Sequence, residues 1–508
     1  MTNMTIAGII AVLALISCVG VYSGKKVKNG NDFLTGGGKA GPGLVCGAIL
    51  GSLVGGQSTI GTAQLAFHFG LSAWWFTLGS GLGCLFLALG FVGPLRRSGC
   101  VTEPQILRRE YGTGAESLSS ILSALGVFIT VLVQVISCIG LFTIIFPGLS
   151  PFAAAALTVA VMCAYIVFGG AWGAGMGGMV KVGLLYLAFI GSLLIVLTGE
   201  GGLSGLAAAL RAQLAGTPLG MIQMPAAGLS NIDGENSLAA RFFTLLARGV
   251  GKDLGSCLSL ILGVLSTQTY AQAVWSAGSD RAAWRGVLLG ALLCPPLGAA
   301  GILIGLSMRA HCVTAAEAAA LAAAGQAVTQ PVLESTVHVL PVFALSHMPP
   351  LCAGVVLGTL LITVICGGAG LTLGISAILV KDVFGRFCGV SGGRAELAVS
   401  RLTIVAVLGA SAAVALTMPG ALLNDLGFLS MGLRAGVVFM PMAAALFAPG
   451  RLRSGFAVAS MLIAPLTMAA VRFLRLTVDP LLAGMAAAIV VCGVGVCLKE
   501  QRKTNSLS

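Results

Sequence analysis

Residues 51–62 read Gly-Ser-Leu-Val-Gly-Gly-Gln-Ser-Thr-Ile-Gly-Thr, a glycine-rich stretch bearing an amide and several hydroxyls inside an otherwise apolar run. In hydrocarbon an unpartnered backbone group is costly, so irregular polar backbone at membrane depth is tolerated only where protein or a water-filled cavity surrounds it. The stretch is therefore expected to interrupt a membrane-spanning helix and to line a polar cavity with Gln57, Ser58 and Thr59.

The rest of the chain supplies the membrane. Of 508 residues 57% are hydrophobic and only 9% charged, with a mean hydropathy of +1.02, whereas soluble domains carry about 25% charged residues. The composition predicts an all-α polytopic membrane protein. A net charge of +12 would suit nucleic acid if it lay on one face or tail, but the basic residues sit in short clusters between apolar runs, so they read as topology signals and no nucleic-acid partner is expected. The fourteen cysteines form no CxxC and do not pair in sequence with the four histidines, which leaves them as small apolar residues at helix contacts. A disulfide between Cys312 and Cys352, both near one outer loop, stays open. No arrangement of carboxylates, histidines or nucleophiles points to an enzyme.

The apolar run 6–22 has no basic residue before it and Lys25, Lys26 and Lys28 after it, the reverse of a secretory signal. It reads as a first span with the N-terminus outside. Further runs near 43–69, 72–95, 117–146, 151–169, 176–198, 254–276, 286–308, 351–380, 402–418, 426–447, 455–473 and 481–498 bring the count to thirteen spans of about 20 residues. Alternation then puts most of the 28 lysines and arginines inside, among them Arg96, Arg97, Arg108, Arg109, Arg281 and Arg285, and puts the C-terminus inside. Segments 199–253 and 309–350 become outer loops, the second able to fold back as an external gate, and 455–498 holds two C-terminal helices. The whole of 1–508 forms one domain.

An internal repeat shows in the polar breaks. Gln57 stands in the same register from Gly43 as Gln268 does from Leu254, and each has hydroxyl neighbours, G-G-Q-S-T and S-T-Q-T. The two spans run in opposite senses, so spans 2–6 (43–198) and 7–11 (254–447) form inverted five-helix repeats, and interrupted helices at matching positions mark a transport site near the midplane. Ser266, Gln268 and Gln272 thereby join Gln57, Ser58 and Thr59 as candidate solute ligands; the alternative is polar glue between helices.

Three motifs carry a family resemblance: G-G-Q-S-T-I-G-T-A-Q-L-A-F-H-F-G-L-S-A-W-W, P-L-R-R-S-G-C-V-T-E-P-Q-I-L-R-R-E-Y-G and Q-A-V-W-S-A-G-S-D-R-A-A-W-R-G. They resemble the sodium:solute symporter family over nearly the whole chain. The resemblance implies the LeuT-type fold, alternating access, import of a small-molecule solute across the cytoplasmic (inner) membrane, Na+ as coupling ion, and a solute site flanked by spans 2, 3, 7 and 11. It also implies a cation site made by the carbonyls of Gln57 and Ile60 with hydroxyls of span 9. Those hydroxyl positions fall on Cys366 and Gly367, with Thr363 completing the set. A thiol suits a hard cation poorly, so no metal site beyond a weak Na+ site is expected. A carboxylate that the resemblance places on span 6 falls on Gly178, with Lys181 one turn further. The Lys181 ammonium is expected to fill the space of the ion, making coupling proton-dependent or absent; snorkelling to the headgroups is the alternative. Arg434 sits at mid-depth in span 11 with no acidic residue at comparable depth, which suits an anionic solute held by bidentate hydrogen bonds or a structural arginine. A non-transporting sensor of the same fold is the rival from another class. The solute's identity and the oligomeric state stay open, and no cofactor is expected beyond the coupling ion, Na+ or H+.

Overall fold

The structure, a computed structural model, describes residues 1–24, 38–100, 102–215, 240–325, 327–384, 393–418, 420–474 and 478–505. Lys25, Lys26, Lys28, the Ile-Asp-Gly-Glu of the segment expected as the first outer loop, and Arg475 lie outside the described residues, as do the side chains of Trp172, Lys381 and Asp382. The described chain is nearly all helical; its one sheet is a parallel pair, Val313–Thr314 with Val332–Leu333. Among the described residues nine helices are long and apolar enough to cross a membrane, or ten when a bent pair is taken as one. The first expected span is the helix Asn3–Gly24, and the fifth and sixth lie within one long helix, Pro151–Gly199. The large apolar side chains on outward faces, such as Leu187, Leu402 and Phe152, are about three-quarters exposed and suit lipid contact.

The second span is broken. Its first helix, Pro42–Leu53, begins with proline at the first turn, where the missing N–H is not needed, and ends where Val54 turns extended (φ −87°, ψ 99°). Gly55 and Gly56 follow, then a π-helical turn over Gln57–Gly61 and a second helix, Thr62–Phe69. Such π-turns leave backbone groups out of the ordinary ladder and recur at functional sites. Gly70 (φ 60°) then reverses the chain toward the helix Trp75–Phe86. The seventh span breaks as well: Val250–Leu265 and Gln268–Ser276 meet at 43°, with Thr267 extended between them.

Close crossings bring other helices onto the second span. A Cβ at Gly178 would run into the Gly47 carbonyl and the Gly51 Cα, so glycine lets the helix of the sixth span lie directly on the second. In the helix Asp280–His311, Pro295 and Pro296 disturb the ladder. Trp74 Nε1 donates to the Pro295 carbonyl (2.9 Å) and Tyr186 Oη to the Leu293 carbonyl (2.7 Å). The break region therefore lies at the centre of the bundle, buried from Leu53 to Phe67. At one end of the bundle Arg248 and Asp253, both fully buried, pair at 2.8 Å, and Arg248 also reaches Asp425 (3.0 Å) on the helix Leu423–Arg434.

Candidate functional site

A helix that stops at Leu53 leaves its last carbonyls without main-chain donors, and side chains take them. Ser58 Oγ donates to the Leu53 carbonyl (3.1 Å). Lys181 Nζ donates to the carbonyls of Gly51 (2.6 Å) and Val54 (2.7 Å), and no part of Lys181 is exposed. Snorkelling is thus corrected: the crossing at Gly178 brings the lysine's chain to the break itself, where two carbonyls hold the ammonium. On the other side of the break the Gly56 N–H donates to Gln134 Oε1 (2.8 Å) from the helix Thr113–Ile145.

The expected cation ligands gather only in part around this point. Cys366 lies within electrostatic reach of Lys181 and is hydrogen-bonded to Tyr165. Gly367 packs against the Gln134 amide, and Thr363 is buried with an Oγ1 that finds no partner among the described residues. The carbonyls that meet the ammonium are those of Gly51 and Val54, not those of Gln57 and Ile60: Thr62 Oγ1 donates to the Gln57 carbonyl (3.0 Å), and Ile60 is simply buried.

The expected solute ligands divide in the same way. Gln57 is buried, and its side chain fits beside Phe76 in the space left by the missing Cβ of Gly427. Phe428 and Phe76 are in ring contact at 5.7 Å. Ser58 and Thr59 turn back onto the break itself, Ser58 to the Leu53 carbonyl and Thr59 Oγ1 donating to the Gly55 carbonyl (2.9 Å). The Ser266 hydroxyl is buried without a partner among the described residues, and both amide atoms of Asn424 are in the same position beside Gly61. Gln268 Oε1 accepts from the Glu103 N–H (2.8 Å), and Gln272 lies one turn further along the same helix.

Arg434 is 1% exposed and its partners are neutral. Nη1 donates to Thr267 Oγ1 (2.8 Å), Nη2 to Thr130 Oγ1 (3.1 Å) and Ser430 Oγ (3.0 Å), and Nε to the Ser430 carbonyl (3.2 Å). A carboxylate does stand near it, which corrects the expectation of none. Glu103, 3% exposed, opens the helix Glu103–Tyr111 between the third and fourth spans. Burial pushes its carboxyl up to about 8, and the Arg434 charge acts in the opposite sense. In sequence, Thr102-Glu103-Pro104 is a helix start: Thr102 Oγ1 caps Gln105 N (3.4 Å) and proline follows. An acid there ordinarily decorates the helix dipole, so nothing local signals its burial. Gln134 and Asn424 are ordinary residues of apolar runs that only the tertiary crossings bring to the breaks, and Thr267, although within the S-T-Q-T break, carries no local signal that it meets Arg434.

The second half of the broken second span is covered. Gln64 Nε2 donates to Thr336 Oγ1 (2.9 Å), and Gln64 Oε1 accepts from the Leu423 N–H (3.0 Å). Val337 fills the space beside Gly140. Next to this plug a cavity of about 480 Å³ is lined by Met308, His311, Glu334, His338 and Val342, among others. Among the described residues Cys312 and Cys352 are both free thiols.

Comparison with known proteins bears on the fold and the family. No curated protein sequence matches the chain. Among solved structures it is similar to a Na+-coupled sialic acid symporter in a substrate-bound outward-open state, with 17% identity, a TM-score of 0.71 and 98% of each chain covered. It is also similar to a nucleobase-cation-symport-1 family transporter in a closed conformation with bromovinylhydantoin bound (13% identity, TM-score 0.48, 94% of this chain and 96% of the other). A manganese transporter of Eremococcus coleocola matches at 13% identity and a TM-score of 0.49, over 94% and 97% of the two chains. The first of these shows the fold. The model of the sodium:solute symporter family matches residues 33–463, and with that match over most of the length the chain belongs to the sodium:solute symporter family, as a multi-pass membrane transporter and not an enzyme.

Proposed function

We propose that this protein imports a small anionic organic solute across the cytoplasmic membrane by alternating access, with the ammonium of Lys181 standing in the cation position beside the broken second span. The reading takes thirteen spans, the N-terminus outside, the C-terminus inside, and spans 2–6 and 7–11 as inverted repeats. One observation carries it: Lys181 Nζ lies 2.6 and 2.7 Å from the Gly51 and Val54 carbonyls in a buried site. A covalently attached cation there makes an added sodium ion unnecessary and repels one that approaches, since like charges at short range in a low-dielectric interior are strongly unfavourable. Arg434 supports the anionic solute, because among the described residues its buried guanidinium meets only neutral groups at hydrogen-bond distance, which a carboxylate would displace to form a charge-assisted pair. Gln57, Ser266 and Asn424 lie at or beside the two breaks with unused or buried polar atoms.

Sodium coupling is the second reading. Family membership favours it, as does the unpartnered Thr363 hydroxyl, a hard oxygen of the kind a cation takes. Uptake of radiolabelled carboxylates, sialic acid among them, into proteoliposomes with sodium replaced by choline decides between the two. Sodium-independent uptake that is lost in Lys181→Gln supports the fixed cation; uptake that stops without sodium returns the site to the ion. Binding without accumulation would instead make the protein a sensor.

A further inference from the structure

Arg434 and Glu103 are both buried and held by consecutive residues of the second break. Thr267 accepts from the guanidinium and Gln268 accepts from the Glu103 main-chain N–H. The two charged groups are not in ion-pair contact, yet the Arg434 charge reaches Glu103. Glu103 Oε1 is buried and finds no partner among the described residues. A buried carboxylate oxygen without a donor is expensive as an anion and far less so as a protonated acid.

Among the described residues, Arg434 is the one charge that acts on Glu103. From the helix Thr113–Ile145 comes Glu116, itself tied to Arg108 at 3.5 Å. The helix Met440–Phe447 carries no titratable group, and Ser454–Phe473 carries only Arg472, in its last turn. From the seventh span Tyr270 lies within electrostatic reach of Arg434. On the helix of Glu103 itself, Tyr111 Oη donates to the Pro441 carbonyl (3.0 Å), and Glu110 accepts from the Gly450 N–H.

From this juxtaposition we infer that Glu103 is a proton-binding carboxyl of the transport cycle, linked to the solute through Arg434, so that an anion on the guanidinium is accompanied by a proton on Glu103. The second half of the statement rests on Arg434 as a solute ligand; the first does not. An anion bound to Arg434 cancels the positive field that favours ionised Glu103, the carboxyl then takes a proton from water, and by reciprocity a protonated Glu103 leaves Arg434 free for the solute. The ligand class is a weak acid carried as anion plus proton.

Infrared difference spectroscopy of the purified full-length protein tests this without a solute. Wild type minus Glu103→Gln should show the C=O stretch of a protonated carboxylic acid near neutral pH, and Glu103→Asp should shift that band. Absence of the band at every pH at which the protein is folded overturns the proposal. Arg434→Gln imitates a neutralised guanidinium and should move the titration midpoint upward by about one pH unit, a ten-fold tighter proton, while Arg434→Lys should leave it near the wild-type value. A midpoint unmoved in Arg434→Gln overturns the linkage. Neither readout depends on sodium or uptake, so a failure here and a failure of the Lys181 reading are told apart.

Discussion

Lys181 and Arg434 stand out in the sequence because each is a charge inside an apolar run, but what each touches is not written there. Lys181 reaches the break because Gly178, one turn away, has no Cβ to hold the sixth span off the Gly47 carbonyl. Gly178→Ala forces that crossing apart, and we expect a loss of about 1–3 kcal/mol, read as a lower denaturation midpoint in detergent. Gln134 was illegible for the opposite reason: an amide in a long apolar helix reads as helix glue, and only the fold aims its Oε1 at the Gly56 N–H. Gln134→Leu strands that donor and should cost roughly 1–3 kcal/mol by the same measurement. Glu103 adds a pH dependence. Its carboxyl is raised from 4.5 to about 8 by burial, so its favourable contribution is complete below the ordinary carboxylate value and is lost as pH rises through about 8. Thermal midpoints of wild type should therefore fall relative to Glu103→Gln across that window; parallel curves would remove the carboxyl from the account.

At the scale of elements, the breaks were the most legible part. Glycines, hydroxyls and an amide at matching positions of two apolar runs signal interrupted helices by chemistry alone, and the structure bends the seventh span by 43° between Leu265 and Gln268. Their polar side chains were harder to assign, since Ser58 and Thr59 take main-chain carbonyls of the break and the hydroxyl of Thr267, rather than the neighbouring amides, meets Arg434. The start of the seventh span is pinned to the eleventh by Arg248, which takes Asp253, Asp425 and Ser256 together and lies 4.9 Å from the Phe428 ring. Asp253→Ala leaves that arginine buried beside an empty position and should cost about 3–5 kcal/mol. Because Arg248 lies over Phe428, whose ring meets Phe76 beside Gln57, the proposed solute role of Gln57 predicts that the variant also weakens solute binding, measured by thermal shift against the same carboxylates.

For the whole molecule, hydropathy made the membrane class plain, whereas the division into spans was blurred by the features that matter most. The break cuts the second span into a short helix and a π-turn, and the helix Pro151–Gly199 contains both the fifth and the sixth expected spans. Span counting relies on uninterrupted runs, and a transport site interrupts them. The tethered position of Lys181 has a consequence for energetics. A sodium ion crosses the membrane field with its solute and stays inside, so the membrane voltage does work on it, about 2.3 kcal/mol per charge per 100 mV. The ammonium of Lys181 returns with the polypeptide after every turnover. On the proposed function, with an anion and a proton as the only travellers, the cycle would carry no net current: uptake should answer to a pH gradient imposed on proteoliposomes and ignore a diffusion potential set with potassium and valinomycin, and electrodes on a solid-supported membrane should record no steady transport current.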